Sequence, residues 1–485
     1  MTIGLKRGKV ELADHDPEWK MIAAQTIEQL WCAFGSVAKD IQHVGSTAIQ
    51  HIKAKPIIDI AVAVDDFKAV EALAAVLENA GFLRRHWETD EQILFAVGDY
   101  TKPDGVVTHF IHVVKTDSLD WHSYINFRDY LNANIVAAKS YEDLKIKLAA
   151  ENQHDKGREK YLAGKFDFIE QTLKEASMWA YIHDIPGYDS FSKIEPVTKG
   201  WSGDKKYYIE TNKGNRLLIR IAEIAQYERK KTEFEMMGQV AALGVPMQQP
   251  IDFGTCNGGK CVYVLLTWVD GEDAEKILPL LSETQQYVLG LKSGEILRKI
   301  HSLSAPNTLE DWEVRFNRKT DRRIESYHKN KTQALTSEGE AHFLSYVENN
   351  RALLKNRPQT YQHGDYHPGN MIIAPNGSLF IIDWNRDDFG DPWEEFNRIT
   401  FTAHTSPHFA TGQLRGYFGG EPPVVFFKLL AFYIASNQLG VVGWALPFGK
   451  SEVDFAKKQN KEVLRWYSNM QTYIPSWYLK DFCIS

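Results

Sequence analysis

The hydrophobic residues of this 485-residue chain change their spacing along its length. Up to about residue 115, runs of strand type alternate with helical runs, and KPIIDIAVAV (55–64) predicts a buried strand. From about residue 121 to 179 the apolar spacing is that of long helices. The stretch DIPGYDSFSK (184–193), which contains Gly, Pro and Ser, then predicts a boundary between two structural units.

The second unit begins with a strand-rich region. Three segments, KKYYIETN, NRLLIRIA and KCVYVLLTWV, have strand-like patterns around one helical segment, YERKKTEFEMMGQVAAL. Beyond Gly271 the pattern is mainly helical, with interruptions at HGDYHPGN (363–370) and SLFIIDW (378–384). A small strand-rich lobe followed by a large helical lobe is the order of a kinase-like fold.

One stretch, Phe426–Phe448, is long and mostly apolar. It contains Lys428 and the polar run Ser436-Asn437-Gln438, and Pro447 lies at its end. These residues favour a buried helix and a following turn over a membrane span. The sequence therefore predicts no transmembrane segment.

Composition narrows the classes of partner. Hydrophobic residues make up 44% and charged residues 25%, as in ordinary globular proteins. The net charge of -7 provides no overall basic field for nucleic acid or an anionic membrane. The four cysteines have no CxxC spacing, and no apolar run follows the first basic residues as in a secretory signal. We expect a cytoplasmic protein whose partners are small molecules.

The octapeptide HGDYHPGN contains groups that phosphoryl transfer needs. Transfer from ATP requires a carboxylate to orient the acceptor hydroxyl and take its proton, and oxygen ligands for Mg²⁺. Asp365 and Asn370 lie five residues apart, the spacing of Asp and Asn in the kinase catalytic loop. Asp383, thirteen residues beyond Asn370 on the apolar strand LFIID, offers a second carboxylate. We interpret His363 and His367 as hydrogen-bonding partners of the loop backbone. A chance polar turn is the alternative for the whole set.

HGDYHPGN followed by IIDW resembles the signature of the aminoglycoside phosphotransferase family, whose members are relatives of protein kinases that act on small molecules. The resemblance extends from about residue 190 to 485, and includes GDPWEE (390–395) and LRKIHSL (297–303). It implies a bilobal fold, with Mg²⁺ and ATP or GTP as cofactors. By position it also implies that Asp365 is the catalytic base and that Asn370 and Asp383 are the magnesium ligands.

The small lobe resembles the family less completely. TKGWSGDKKYYIE (198–210) stands where the family has its phosphate-covering loop, and Arg220 stands where lysine is usual. The family pairs that residue with a glutamate of the next helix, here Glu233; a solvated arginine on an edge strand is the alternative. LLTWVDGED (265–273) resembles the hinge, whose backbone groups meet the adenine edge. The nucleotide-binding residues that the resemblance implies are Gly200, Ser202, Gly203, Arg220, Glu233, Thr267, Trp268 and Val269.

The first part of the chain resembles a different family. HVGSTAI (43–49), KPIIDIAV and the helix with Tyr141 and Lys145 resemble the GrpB-like family, whose fold is related to nucleotidyltransferases. Active nucleotidyltransferases hold metal ions with two carboxylates two residues apart, whereas Asp59 is followed at that distance by Ala61. We therefore predict a ligand-binding or accessory module. Its predicted ligand site consists of Gly45, Ser46, Asp59, His109 and His112, with satisfied core-strand histidines as the alternative for the last two.

Together these patterns predict an α+β protein. A nucleotidyltransferase-like α/β domain occupies residues 1–175 and a linker residues 176–189. A bilobal kinase-like phosphotransferase domain follows, with a small lobe over 190–270 and a helical lobe carrying the catalytic loop over 271–485.

The predicted function is transfer of the γ-phosphate of ATP or GTP to a hydroxyl of a small molecule, such as an aminoglycoside or another antibiotic. The acidic segment DDFGDPWEE (387–395) fits a cationic substrate, but residues 396–485 contain nine Lys or Arg against five Asp or Glu. Two alternatives stay open. One is a binding or regulatory protein with an impaired kinase fold, which Arg220 favours, and the other is nucleotidyltransferase activity in the first domain.

Overall fold

The computed structural model describes residues 3–6, 9–85, 91–99, 102, 105–152, 157–198, 203–332, 335–337 and 339–482. The chain divides into two compact units. One comprises Met1–Tyr188 with Cys256–Gly258, and the other comprises Asp189–Thr255 with Gly259–Ser485. Both units mix helices and strands, which confirms the predicted α+β class.

The first unit is built on a six-stranded sheet. Its strands are β1 Leu5–Lys6, β2 Ala38–Val44, β3 Ile58–Val64, β4 Leu83–Arg84, β5 Gln92–Gly98 and β6 Val106–Lys115. Its helices are α1 Glu18–Phe34, α2 Phe67–Ala72, α3 Ala74–Asn79, α4 Leu119–Ala133, α5 Ile135–Glu151, α6 Gly157–Ala163 and α7 Phe166–Ile182. The strand order is β2-β3-β6-β5-β4 with β1 paired to β6. The β3–β6 pair is parallel, and the other pairs are antiparallel.

Strand β3 is buried on both faces, as its continuous apolar run predicts. On one face Ile60 and Val62 belong to a core cluster with residues of α1. On the other face Ala61 and Ala63 belong to a cluster with Trp121 of α4. Side chains of a strand alternate between its faces, so Asp59 lies on the same side as Ala61.

The helical region predicted from 121 to 179 is confirmed, and it consists of several helices. Asn134 separates α4 from α5, and its side chain caps α5 by accepting a hydrogen bond from Ala137 N–H. One prediction about this unit needs correction. The predicted linker, 176–189, includes the end of α7, because Ala176 and Ile182 are buried on the inner side of that helix.

The second unit begins with a small lobe made of a five-stranded sheet and one helix. The elements are β7 Phe191–Pro196, β8 Lys205–Thr211, β9 Arg216–Glu223, α8 Tyr227–Ala242, β10 Pro250–Cys256 and β11 Cys261–Thr267. The strand order is β10-β11-β9-β8-β7. In the antiparallel pair β8–β9, Lys206 lies directly opposite Arg220. Because opposite residues of such a pair project from the same face, these two side chains are neighbours.

The remainder of the second unit is a larger, mainly helical lobe. Its helices are α9 Ala274–Ile277, α10 Glu283–Ile300, α11 Trp312–Thr332, α12 Glu340–Asn350, α13 Ile399–Thr405, α14 Pro407–Phe418, α15 Val424–Ala445 and α16 Lys450–Trp466. Its short strands are β12 Glu272–Asp273, β13 Thr360–Gln362, β14 Met371–Ile373, β15 Leu379–Ile381 and β16 Asp388–Gly390. They form the sheets β12-β14-β15 and β13-β16.

Helix α15 lies in the core of the larger lobe. Within the described part of the chain, Val424–Phe448 is the one stretch whose length and composition would suffice to cross a membrane. However, 67% of its apolar window is buried inside the protein, and α11 and α12 pack against the helix. Its apolar residues are thus used in internal packing, as in a core helix.

Candidate active site

The octapeptide 363–370 forms the loop between β13 and β14, and Gly364 is essential to its path. The φ angle of Gly364 is 79°, and a Cβ added there would lie 1.8 Å from the carbonyl oxygen of Arg386. Only glycine satisfies both conditions. The Gly364 N–H donates to the two carboxylate oxygens of Glu395 at 3.0 and 3.1 Å. The loop is therefore packed tightly against the segments that contain Arg386 and Glu395.

Both histidines of the octapeptide hydrogen-bond backbone groups, as interpreted from the sequence. The buried His363 accepts a hydrogen bond from Asp365 N–H at Nδ1 (3.3 Å), and its Nε2 lies 3.0 Å from the Ile382 carbonyl oxygen. His367 accepts a hydrogen bond from Gly369 N–H at 3.2 Å. Burial lowers the pKa of His363, so its ring is neutral at neutral pH. The neutral ring joins the catalytic loop to the strand that precedes Asp383.

Asp365 lies beside two arginines and a histidine. Its Oδ1 lies 3.2 Å from Arg398 Nε, and its Oδ2 lies 3.7 Å from His367 Nε2 and 3.8 Å from Arg386 Nη1. Burial alone would raise the pKa of Asp365, but the neighbouring His367 ring and the charges of Arg398 and Arg386 hold it well below its usual range. Asp365 is therefore ionised at neutral pH and can accept a hydrogen bond from a hydroxyl group.

Asn370 and Asp383 are held next to each other by the backbone. The Ile382 N–H donates to the Asn370 carbonyl oxygen at 3.0 Å. The Asn370 amide donates to the backbone oxygen and to Oδ2 of Asp365, at 2.9 and 3.1 Å. This orientation leaves the Asn370 Oδ1 for another partner. Asp383 has a φ of 64°, a conformation that is uncommon outside glycine and frequent at functional sites.

The donor set of Asn370 and Asp383 fits a hard cation. Among the described residues, no group of three or more His, Cys, Asp or Glu side chains is arranged to hold a metal ion. An amide oxygen and a carboxylate are nevertheless suitable for Mg²⁺, which usually takes few protein ligands and completes its shell with phosphate oxygens and water. These two residues could hold Mg²⁺ together with a nucleotide, and they line the same cavity.

The acidic segment 387–395 supports the loop from inside. Asp391 is fully buried and accepts hydrogen bonds from Arg357 at 2.6 and 2.9 Å and from the Tyr433 hydroxyl at 2.5 Å. Glu394 is buried and lies 3.3 Å from the Lys319 ammonium. These carboxylates are neutralised within the lobe, and their role is structural.

Arg220 belongs to a buried ion cluster of Asp204, Arg220, Lys230 and Glu233. Its side chain is 4% exposed, so the alternative of a solvated edge-strand arginine is wrong. The closest partner of Arg220 is Asp204, whose Oδ2 accepts from Nη2 at 2.7 Å and from Nε at 3.1 Å. The predicted partner Glu233 lies 3.5 Å away, as does Asp383. Lys230 contacts Asp204 at 2.8 Å and Glu233 at 3.2 Å.

Lys206 is a candidate site residue that the sequence interpretation missed. It lines the same cavity as Arg220, Asn370 and Asp383. Burial lowers the pKa of the Lys206 ammonium, Asp383 raises it, and the neighbouring Arg220 lowers it again. Lys206 could have been identified by its position opposite Arg220 in the β8–β9 pair, but this position follows only from the strand register, which the sequence does not give.

The cavity that contains Asp383 lies between the sheet lobe and the catalytic loop. We name it the Asp383 cavity; its volume is about 330 Å³, and it is lined by Lys206, Arg220, Trp268, Val269, Asn370 and Asp383 among others. Thr267, which was predicted to be part of the nucleotide site, does not line it, and its N–H donates to the Gln249 carbonyl oxygen at 3.0 Å. Trp268 N–H donates to Arg216 O at 3.0 Å. Of the three predicted hinge amides, that of Val269 has no hydrogen-bond partner within the described residues.

A second cavity, of about 700 Å³, is lined in part by Asp365 and His367 of the octapeptide loop. We name it the Asp365 cavity, because the Asp365 carboxylate is part of its lining. The side chains of Asp365 and Asn370 are hydrogen-bonded, and Asn370 lines the Asp383 cavity. The two cavities therefore meet at this hydrogen-bonded pair.

The predicted phosphate-covering loop is described in part. Gly200 and Ser202 lie outside the described residues. Gly203 is exposed, and a Cβ added to it would meet no atom within 4 Å. The local packing around Gly203 therefore gives no steric reason for glycine.

In the first unit, four of the five predicted ligand-site residues lie together. Gly45 has a φ of 70°, and a Cβ there would lie 2.5 Å from Asp59 Oδ2. Asp59 Oδ1 lies 3.3 Å from His112 Nε2. Ser46 Oγ lies 3.4 Å from the hydroxyl of Tyr141, a residue not included in the predicted site. The arrangement combines a glycine turn, the Asp59 carboxylate, the His112 imidazole and the Tyr141 hydroxyl.

His109 is separated from this group. It lies three positions before His112 on β6, so the two side chains project from opposite faces of the sheet. His109 is 8% exposed, and its Nε2 lies 3.1 Å from Thr26 Oγ1 on α1. Burial lowers its pKa to about 4. It is the satisfied core histidine of the alternative interpretation, and its assignment to the ligand site is corrected.

The architecture of the second unit defines its class. A small sheet lobe followed by a larger helical lobe gives this unit a kinase-like fold, and Asp365, Asn370 and Asp383 lie at its two cavities. Residues 193–427 match the model of the phosphotransferase enzyme family, and residues 9–175 match the model of the GrpB protein family. Both predicted resemblances are thus confirmed.

Individual curated relatives match the first unit. The glutamate-rich protein GrpB of Alkalihalophilus pseudofirmus is 38% identical over 176 residues, which cover 36% of this chain and 99% of that protein. The chain therefore belongs to the GrpB family through its first unit. The UPF0157 protein YqkA of Bacillus subtilis is 30% identical over 171 residues, 35% of this chain and 48% of that protein. Among solved structures, the apo form of a thermostable mutant of aminoglycoside phosphotransferase APH(4)-Ia is 17% identical, with a TM-score of 0.43, and covers 59% of this chain and 98% of that one.

Proposed function

We propose that the second unit transfers the γ-phosphate of ATP or GTP to a hydroxyl group of a small molecule. The observation that carries this proposal is the hydrogen bond between Asp365 and Asn370 at the meeting point of two cavities. The Asp383 cavity would hold the nucleotide, and the Asp365 cavity would hold the acceptor. An in-line transfer needs a donor and an acceptor on opposite sides of one short catalytic segment.

In this mechanism the Asp365 carboxylate accepts a hydrogen bond from the acceptor hydroxyl and takes its proton as the oxygen attacks the γ-phosphorus. The bond between the γ-phosphorus and the β–γ bridging oxygen breaks, and the nucleoside diphosphate leaves. Mg²⁺ held by Asn370 and Asp383 would neutralise charge on the phosphates. The low pKa of Asp365 suits a group that mainly orients the hydroxyl, because phosphoryl transfer depends more on position and charge than on strong bases.

Lys206 is the cation that we propose for the phosphate-contacting role. Arg220 occupies the family's lysine position, but its guanidinium is directed into the buried ion cluster, with two hydrogen bonds to Asp204. Lys206 lines the Asp383 cavity from the neighbouring strand. A lysine there can meet a phosphate as a point charge. Arg220 then orients Asp383 and Glu233 by charge.

The proposal is tested with the full chain, ATP or GTP, and magnesium. Formation of nucleoside diphosphate is measured against a panel of aminoglycosides, macrolides, amino alcohols, sugars and hydroxy acids. Asp365→Ala should abolish acceptor-dependent formation, whereas Asp388→Ala, at a carboxylate that is 65% exposed, should not. Tight binding of nucleotide without turnover for any acceptor would instead favour a regulatory protein with an impaired kinase fold.

For the first unit we propose ligand binding without nucleotide transfer. Asp59 has Ala61 as its neighbour on the same face, so the strand offers one carboxylate where a two-metal site needs two. The Gly45-Ser46 turn beside Asp59 can present backbone amides to a phosphate or another anion. Pyrophosphate release by the full chain with nucleoside triphosphates and Mg²⁺ or Mn²⁺, lost on Asp59→Ala, would contradict this proposal.

A further inference from the structure

The Asp365 cavity is rich in positive charge. Its lining contains the cations Lys319, Arg323, Arg386 and Arg398. The carboxylates that line it are Asp365 and Glu452. Asp365 is already in contact with Arg398 at 3.2 Å. Lys319 pairs with Glu394 at 3.3 Å, so the surplus of positive charge in the lining is carried by the three arginines.

The acidic segment 387–395 does not reverse this balance. None of its five carboxylates lines the Asp365 cavity. Asp391 is paired with Arg357, Glu395 accepts the Gly364 N–H, and Asp387 accepts a hydrogen bond from the Tyr361 hydroxyl at 3.1 Å. Glu394 is paired with Lys319 and the exposed Asp388 with Arg315, so none of the five carboxylates is available to a ligand in the Asp365 cavity.

Arg323 forms its hydrogen bonds with neutral groups. Its Nη1 donates to Ser436 Oγ at 3.0 Å, and its Nη2 donates to Asn437 Oδ1 at 3.1 Å. Burial lowers the pKa of Arg323 to about 10, Glu394 raises it, and the nearby charge of Arg398 lowers it again. Arg323 and Arg398 line the same cavity, so a bound anion would be attracted to both guanidinium groups.

Two further features point to a ligand. Gln438 lines the cavity and is 2% exposed, yet its Oε1 has no hydrogen-bond partner among the described residues. A buried acceptor without a partner is costly, and a donor on a ligand would satisfy it. Three large apolar side chains at the same cavity remain exposed, namely Trp444 (57%), Phe448 (48%) and Phe455 (52%). Their exposure indicates a surface that binds an apolar group.

We infer that the acceptor is an anionic small molecule with an apolar part, whose carboxylate or phosphate group binds between Arg323 and Arg398. Its apolar part packs on Trp444 and Phe448, and its hydroxyl lies at Asp365. This inference deepens the proposed function and rests on it for the direction of phosphate transfer. It places the acceptor in a class opposite in charge to the aminoglycosides.

The test compares probes that share a phenyl group and differ in charge. Calorimetry on the full chain, with and without AMP-PNP and Mg²⁺, measures binding of 3-phenyllactate, 2-phenylethyl phosphate, 3-phenylpropane-1,2-diol and phenylalaninol. At least one of the two acids should bind about tenfold or more tightly than the diol and the amine, because a charge-assisted hydrogen bond is gained. Which acid binds better identifies the oxyanion as carboxylate or phosphate.

Substitutions of single cationic residues show which side chain binds the acid probes. Arg323→Met should reduce acid binding to the level of the diol, and Arg323→Lys should restore part of it. Arg318→Met is the matched control, because Arg318 lies on the same helix, is 53% exposed and pairs with Glu310. If Arg323→Met does not fold, Arg398→Met at the second inferred anion-binding residue, which is 25% exposed, provides the same comparison.

The outcomes separate the inference from the proposed function. Equal or tighter binding of phenylalaninol would overturn the inference, as would absence of acid binding in a chain that binds AMP-PNP. A chain that binds an acid through Arg323 but does not bind AMP-PNP with Mg²⁺ would support the anionic site and contradict the kinase function.

Discussion

Replacing Lys206 or Arg220 by methionine tests which of these two cations of the small lobe contacts the nucleotide and which stabilises the fold. Lys206 lines the Asp383 cavity, whereas Arg220 on the adjacent strand is 4% exposed among three carboxylates. A charge-assisted hydrogen bond contributes about 1.5–3 kcal/mol, so Lys206→Met should weaken nucleotide binding or turnover roughly 10- to 150-fold. Its melting temperature should change little. Arg220→Met leaves Lys230 to face both Asp204 and Glu233, and this loss of buried positive charge should lower the unfolding free energy by about 3–5 kcal/mol.

The assay is titration of each variant with AMP-PNP and Mg²⁺, together with thermal unfolding of the same samples. Lys205→Met is the matched control, because Lys205 is the exposed neighbour on the same strand and projects from the other face. The reasoning would be refuted if Lys206→Met bound nucleotide like the wild type, while Arg220→Met kept its stability and lost nucleotide binding. In that case Arg220 contacts the phosphates directly.

Three other predictions concern the catalytic carboxylate, the metal site and pH. Asp365→Ala should lower turnover by roughly 10² or more with nearly unchanged nucleotide binding, because a general base acts mainly in the transition state; single-turnover kinetics beside calorimetry test this. Mg²⁺ should no longer tighten nucleotide binding in Asp383→Ala, and its effect should be only partly reduced in Asn370→Ala, because a carboxylate brings a full charge to the metal. If calorimetry gave the same Mg²⁺-dependent affinity for the wild type and both variants, the metal assignment would be removed. Burial lowers the pKa of Lys145 from 10.5 to about 7, so Lys145 takes up a proton when the first unit unfolds between these pH values. The free energy of unfolding should therefore rise with pH in this range, by up to about 1.4 kcal/mol per pH unit. Chemical unfolding of the Lys145→Met variant should lack this rise.

The parts of the site that depend on local spacing were predictable from the sequence. Asp365 and Asn370 lie in one short loop, and hydrogen bonds within that loop bring them together. The helical and strand patterns likewise predicted the order of the two lobes. Asp204 and Lys206 were missed because their roles depend on the β8–β9 register and on the packing of α8, which spacing along the chain does not encode.

Burial explains why His109 does not belong to the predicted ligand site. Its residue type suits such a site, but strand alternation directs it into the core beneath α1. Burial also explains what the acidic segment could not reveal from its sequence: Asp391 and Glu394 form ion pairs inside the lobe. In both cases tertiary packing decides the direction in which the side chain projects.

The backbone hydrogen bonds around Gly364 and Ile382 have a consequence for the proposed reaction. Gly364 is bound to Glu395, and Ile382 N–H is bound to the Asn370 carbonyl, so the proposed base and both candidate metal ligands belong to one hydrogen-bonded segment of the helical lobe. In the proposed reaction, the polar groups of this segment are ordered before any substrate arrives, which keeps the reorganisation energy of the chemical step low. A closing motion between the lobes would then move the sheet and Lys206 toward a reaction centre that is already assembled.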